Sequence, residues 1–454
     1  MKRILLLFLL LLCTGFSTLS ADELGNRTDF LIDVSSEIDY ILEHYYGDIN
    51  EQTLRKGLLD GMHKAIDPWT NSYTEAEYKI FVDNLSGEFV GLGIYVEKSG
   101  DHVLITEVIE GGAAEKAGLK SGDRIYAVDQ KSIATLDIDQ VVSLLSGKKD
   151  SPVSLQIMRK GKVVKETLQI FRKSFVIKSV KHYLRDGIDV IEIDQFGDRT
   201  YSEFLDAMQK VDPGKGFLID LRDNPGGYLD SAVQIADELL PKDLLITVVQ
   251  DKYNKNFMNS QKEGRKEKLV VLVNEKTASA SEILASALQD HNRAVLVGDK
   301  TFGKGLIQQL GRFGGRYIKL TIGEYKSPKG SVINGVGVLP DYRVSPEQEL
   351  FALHSEFKPL LSYTEWKYGD TNDELIGIKQ RLRYLGNRLQ MNPHFDRELL
   401  QVVNQFKKES ALKEDGKIEE TFKLALDREV KRKAAETAKE KQLKKAIELM
   451  KATN

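Results

Sequence analysis

Ser279 stands where the strand-like run KLVVLVN passes into the helix-like run TASASEILASALQ. A hydroxyl at a strand-to-helix turn is exposed, and the amides and dipole of the following helix can stabilise an oxyanion that develops beside it. The same serine also fits a plainer role, because Ser279 and Glu282 have the spacing of a capping box. Lys304 follows twenty-five residues later, in AVLVGDKTFGKGLIQ. Gly298 through Lys304 spells G-x-x-x-x-G-K after a strand, the outline of a phosphate loop. Gly305, however, replaces the Ser or Thr that would hold magnesium, and LIQQL lacks a helical pattern. What remains is a lysine in a Gly-rich turn. Buried there, it would lose its charge readily and could serve a serine as general base; exposed, it would be an ordinary cation.

Histidine is the alternative base, but no motif supports a His-based triad. The seven are His44, His63, His102, His182, His291, His354 and His394, with neither an H-E-x-x-H motif nor a G-x-S-x-G elbow. His291 alone lies near the Ser/Lys region, and it reads as structural. With no metal-ligand cluster and one cysteine, Cys13, neither a metal nor another cofactor is expected.

These residues need elements to hold them. The 454-residue chain is 41% hydrophobic and 29% charged, enough for several cores. A net charge of −3 gives no footprint for nucleic acid. Lys2 and Arg3, the apolar run Ile4 to Leu12, and Thr18–Leu19–Ser20–Ala21 read as a secretory signal over residues 1–21. The protein is thus expected to be exported to the periplasm or cell envelope. Lipidation of Cys13, which would add membrane association, is the competing reading; Leu12 sits where a small residue is usual.

Helical spacing of Phe30, Leu31, Val34, Ile38 and Ile41, and of Leu54, Leu58, Leu59 and Met62, predicts a helical region over 22–85, broken at Asp67–Pro68. Short β-rich runs with one helical stretch, IDQVVSLLSG, occupy 86–172. Strands and helices alternate from 173 to 348, predicting an α/β core with partly parallel strands and antiparallel additions over 316–344. After a linker at 349–371 the pattern is helical: a small module over 372–428, then a charged helix over 429–454 with Leu443, Ile447 and Met450 on one stripe. The fold class is therefore multidomain α/β, with a helical N-terminal region, a β-rich module, a mixed-sheet core and an all-α C-terminal module.

The segment GFLIDLRDNPGGYLDSAVQIADELL, with LVNEKTASASEILASALQDHNRAVLVGDKTFGKGLIQ, resembles the carboxyl-terminal processing (tail-specific) serine peptidases, over about residues 30–345. That resemblance implies a nucleophile at Ser279, a general base at Lys304 and a lysine-orienting Gln308. It also implies oxyanion donors at the backbone amides of Gly226, with Gly227 as the alternative, and of Ala280. AIDPWTNSY resembles the family's signature ahead of its β-rich module, but carries Trp69 and Thr70 where His and Ser are usual.

The β-rich module resembles a PDZ domain, through FVGLGI and VIEGGAAEKAGLKSGDRIYAVD. Gly91, Leu92, Gly93 and Ile94 are then expected to present amides to a peptide's terminal carboxylate, with the peptide adding as a strand along Ile94–Val96. A PDZ module of this kind can gate proteolysis, and Arg159 is a candidate relay, against the plainer reading of a strand-end arginine. The C-terminal helices resemble a three-helix peptidoglycan-binding module with Ile378, Leu382, Leu385, Val402, Val403, Phe406, Leu412, Thr421 and Leu424 as core. Expected partners are protein or peptide substrates held by their C-termini and a second copy of the chain through the helices at 30–85 and 430–454; the C-terminal module has two readings of equal weight, peptidoglycan binding and a purely structural or assembly role. The competing class is a non-catalytic PDZ and cell-wall adaptor.

Overall fold

The computed structural model describes residues 21–109, 111–164, 167–360, 363–410 and 412–452. The signal-type segment, Ala21 apart, and Cys13 lie outside them. The chain packs as two units, residues 1–75 with 308–321 and residues 76–307 with 322–454.

In the first unit, helices Ala21–His44 and Glu51–Lys64 are joined through Asn50, whose side-chain oxygen accepts from Thr53 N at 2.9 Å and caps the second helix. Beyond the break at Asp67–Pro68, Asp67 Oδ1 accepts from the amides of Trp69 and Thr70, both at 2.7 Å. The departure at Thr70 is absorbed there. Thr70 is buried, and its hydroxyl oxygen accepts from Thr321 N at 3.3 Å. Strand Asn71–Tyr73 pairs antiparallel with residues 317–319, and Gly314–Gly315 close the tight turn before them at positive φ.

The second unit is built on a six-stranded sheet. Its order is Val180–Arg185, Ile188–Ile193, Phe217–Asp220, Leu269–Val273, Val295–Gly298, Tyr342–Arg343, with the first pair antiparallel and the rest parallel. Phe217–Asp220 and Leu269–Val273 are buried at every position, as parallel strands covered on both faces must be. On one face Ile191, Phe217, Ile219, Val271 and Leu296 pack with helices Thr200–Met208, Leu229–Leu239 and Ala280–Asp290. On the other, Val190, Leu218, Val270, Leu272 and Val297 meet Leu443, Ala446, Ile447 and Met450. Over residues 316–344 the expected antiparallel addition is present in Arg316–Lys326, whereas Tyr342–Arg343 departs from it. Arg316–Lys326 is one long strand, whose residues 323–326 pair antiparallel with 248–251, and Tyr342–Arg343 then adds parallel at the sheet edge.

Within the same unit, seven short strands from Ile94–Ser99 to Leu168–Phe171 and helices Ala113–Lys116 and Ile138–Leu145 enclose a separate core around Val103, Ile105, Ile125, Val141 and Ile157. Asp137 and Gln140 form a reciprocal capping box at the longer helix.

The C-terminal region has four helices, Pro346–Glu356, Glu374–Tyr384, Arg397–Glu409 and Glu420–Lys451. Ile378, Leu382, Val403 and Phe406 are buried as expected, with Phe422 and Leu426 beside them. Thr421 and Leu424 instead face solvent. Lys379, Lys407 and Lys423 are also buried, each against a carboxylate: Asp396 at 2.6 Å, Asp415 and Glu419 at 2.6 Å, and Glu374 at 3.0 Å. No Gly or Pro interrupts 420–451, so the last helix runs unbroken past 428–429, where the sequence pattern divides the chain. Its stripe of Leu443, Ile447 and Met450 is buried on its own sheet.

Candidate active site

The approach to Ser279 is rigid. After strand Leu269–Val273 the chain turns through Asn274–Thr277. There Asn274 N donates to Thr277 Oγ1 at 2.9 Å, and Thr277 Oγ1 donates to Leu221 O at 2.8 Å. Ser279 follows at φ 58° and ψ −120°, a backbone state that non-glycine residues reach only under constraint. The capping-box spacing is realised between Ser279 and Glu282. Glu282 Oε2 accepts from Ser279 N at 2.8 Å, and Glu282 N donates to the Ser279 carbonyl oxygen at 2.8 Å.

Glu282 is fully buried and holds both halves of the site. Its Oε2 also accepts from Lys304 N at 2.8 Å, while Oε1 accepts from Thr301 Oγ1 at 2.5 Å and Gly303 N at 2.7 Å. Burial pushes its carboxyl above the usual glutamate range, and these hydrogen bonds offset part of the rise. Tyr325 closes the ring from the other side, its phenol donating to Ser279 O at 2.9 Å and to Lys304 O. That phenol is held well above its ordinary value by burial and by the Glu282 charge. Neither group stands out in sequence, where Glu282 reads as a helix cap and Tyr325 carries no signal at all.

The NPGG turn lies directly against the serine. A Cβ on Gly226, at φ 100°, would come within 2.7 Å of both Ala278 O and Ser279 Cβ, so only glycine fits. Asn224 ties the turn down: its carbonyl oxygen accepts from Ala278 N (3.0 Å) and Ser281 Oγ (3.1 Å), and its side chain donates to Ile193 O (2.7 Å). The Gly226 N–H is engaged by Asn224 Oδ1 at 2.9 Å. The N–H groups of Gly227 and Ala280 have no hydrogen-bond partner among the described residues.

Lys304 does not sit in a phosphate loop. A strand, Leu306–Phe313, follows it, and Gly298 serves close packing, since a Cβ there would meet Val273 O at 1.8 Å. Gln308 lies on that strand in the first unit, where its Nε2 donates to Thr321 Oγ1 at 3.3 Å. His291 caps its helix and bonds Leu245 O at 2.7 Å, a structural role. No cluster of potential metal ligands occurs among the described residues.

In the β-rich module, Gly91 ends strand Glu88–Gly91 and Ile94 begins strand Ile94–Ser99. The latter is an edge strand, paired only with His102–Val108 among the described residues. Between them Leu92 is buried, its carbonyl oxygen accepting from Ala114 N at 2.8 Å, while the N–H groups of Leu92 and Gly93 have no partner among the described residues. Arg159 grips the buried Asp123 with Nε and Nη2 at 2.6 and 2.7 Å and reaches Gly118 O at 2.8 Å, so it braces this module from within.

Comparison with known proteins agrees with this architecture. Residues 187–344 match the model of peptidase family S41, and residues 104–159 match a PDZ domain. The chain is 31% identical to the carboxy-terminal processing protease CtpA of Bacillus subtilis over 453 residues, 98% of this chain and 95% of that protein. It is 33% identical to a probable CtpA-like serine protease of Staphylococcus haemolyticus, over 83% of this chain and 76% of the other. Among solved structures, the photosystem II D1 C-terminal processing protease is 26% identical with a TM-score of 0.42, covering 68% of this chain and 86% of that one. The chain belongs to the S41 serine peptidases, as a PDZ-bearing carboxy-terminal processing protease of the CtpA type.

Proposed function

We propose that the protein is an exported endopeptidase in which Ser279 attacks the scissile carbonyl while a neutral Lys304 takes its proton. The Oγ–carbon bond forms, the proton passes through Lys304 Nζ to the leaving amine as the C–N bond breaks, and water then releases the acyl group by the reverse proton path. The observation that carries this reading is the shared tether: the backbones of Ser279 and Lys304 are both held by Glu282 Oε2 and the Tyr325 phenol. Gln308 orients the lysine.

The amides of Ala280 and of the Gly226–Gly227 turn form the oxyanion hole. Gly227 is the better donor in this arrangement, because Gly226 N–H is already bound to Asn224 Oδ1. Residues 86–172 capture a substrate's C-terminus at Gly91–Ile94, supported by the unpartnered Leu92 and Gly93 amides and the open edge strand. Residues 1–21 direct export, residues 173–348 carry the chemistry, and residues 372–428, beyond the 349–371 linker, bind peptidoglycan.

Purified protein should degrade an unfolded substrate, and Ser279→Ala and Lys304→Ala should each abolish this while leaving the circular dichroism spectrum unchanged. Retained cleavage by Ser279→Ala would overturn the mechanism. For the wall-binding role, the intact protein should co-sediment with insoluble peptidoglycan. Deleting 372–428 would remove part of the unbroken helix, so a surface-charge variant of that module is the proper control.

A further inference from the structure

The last helix does more than cover the sheet. Arg222, largely buried, clamps Asp220 with Nε and Nη2 (2.9 and 2.6 Å) and sends Nη1 to Lys439 O at 2.6 Å, with Gln442 Oε1 at 3.4 Å. The neighbouring Asp223, at φ 61°, is ion-paired with Lys439 Nζ. It accepts from Asn274 Nδ2 at 3.0 Å, and its own N–H donates to Asn274 Oδ1 at 2.9 Å. Asn224 comes next, the residue that ties the NPGG turn to Ala278 and Ser281. One turn of helix, Lys439–Gln442, therefore grips the two residues immediately before the oxyanion turn, from the side of the sheet opposite helix Ala280–Asp290.

We infer that the C-terminal helix is a positioning element for catalysis: through Arg222 and Asp223 it sets the register of the 224–227 amides against Ser279. The inference rests on the Ser279 mechanism proposed above. Loss of a single oxyanion donor typically costs about 10²–10³ in rate, and a displaced donor costs part of that. Arg222 is the central residue, because only a guanidinium can fork between Asp220 and the Lys439 carbonyl; lysine keeps the charge and loses the fork.

The test uses the full chain. Arg222→Lys should lower kcat about tenfold with KM within twofold of the parent, and should raise amide hydrogen exchange at 222–228 without raising it in strand Leu269–Val273. Should Arg222→Lys fail to fold, the partly exposed Lys439→Ala decides the matter. It should lower kcat about threefold, the scale of one exposed ion pair, and Lys439→Arg should restore it. Parental kcat and parental exchange at 222–228 in the folded variants would overturn the inference, as would a rise in KM at unchanged kcat. An active Ser279→Ala would overturn it together with the mechanism on which it rests, whereas an inactive Ser279→Ala beside a fully active Arg222→Lys would overturn it alone.

Discussion

Ser279 and Lys304, twenty-five residues apart in the chain, donate their backbone amides to the same carboxylate oxygen, Glu282 Oε2, each at 2.8 Å. Their carbonyls in turn share the Tyr325 phenol. The two loops that bear Ser279 and Lys304 thus cannot drift apart without breaking part-buried hydrogen bonds, each contributing about 0.5–1.5 kcal/mol.

Glu282→Gln should accordingly lower both stability and turnover. The amide nitrogen of the new side chain would face N–H groups where Oε2 now accepts two, so the site opens between Ser279 and Lys304. Tyr325→Phe should be milder, a fall in kcat with KM little changed. Thermal unfolding beside steady-state kinetics checks both, and parental kcat in Glu282→Gln would show that the tether is dispensable.

The base should be specific to lysine chemistry. Lys304→Arg is expected to be as inactive as Lys304→Ala, because a guanidinium does not give up its proton. Gln308→Ala should lose less, because the role proposed for it involves no proton exchange. A chelator should leave the rate unchanged; loss of activity on chelation would reveal a metal in the chemistry.

Capture of a C-terminus is tested with the inactive full-length Ser279→Ala. A peptide with a free apolar C-terminus should bind about tenfold or more tighter than its amidated form, since hydrogen bonds to a charged acceptor contribute about 1.5–3 kcal/mol. Equal affinities, measured by fluorescence anisotropy, would contradict carboxylate recognition. Arg159→Ala should weaken the folding of this module, because it strands the buried Asp123.

Acid should open the C-terminal bundle. The Lys407 ammonium holds the Asp415 carboxyl below its ordinary value of 3.8. Burial pushes Asp396 up, but the hydrogen bond from Lys379 and the others it accepts outweigh that and hold it low as well. Depressed carboxyl values mean stability that is complete above pH 3.8 and is lost as pH falls through the lower folded values, when two buried lysines lose charged partners. Trp366, whose indole donates to Glu374 Oε2 at 3.0 Å inside this bundle, reports the event in a Trp69→Phe background. Its emission should shift to the red below about pH 4. An emission unchanged to pH 2 would show that these pairs do not hold the bundle.

The chain's own letters determined the local structure and where the candidate groups Ser279 and Lys304 stand in it. The helix predicted over IDQVVSLLSG is Ile138–Leu145, and apolar runs such as KLVVLVN are sheet-centre strands, because periodicity and burial act on neighbouring residues and leave their mark in sequence. The hydroxyl at the strand-to-helix turn and the lysine in the Gly-rich turn were legible for the same reason. Tertiary structure alone decided what surrounds them. Tyr325 reaches Ser279 across 46 positions and Lys439 reaches Asp223 across 216, contacts between residues whose types carry no local pattern. The buried lysines of the bundle and the long last helix were hidden in the same way. A charged letter reads as solvent-facing until a carboxylate from another helix meets it, and a helix that seems separate by composition becomes part of a sheet's core once its apolar stripe finds the face that needs covering.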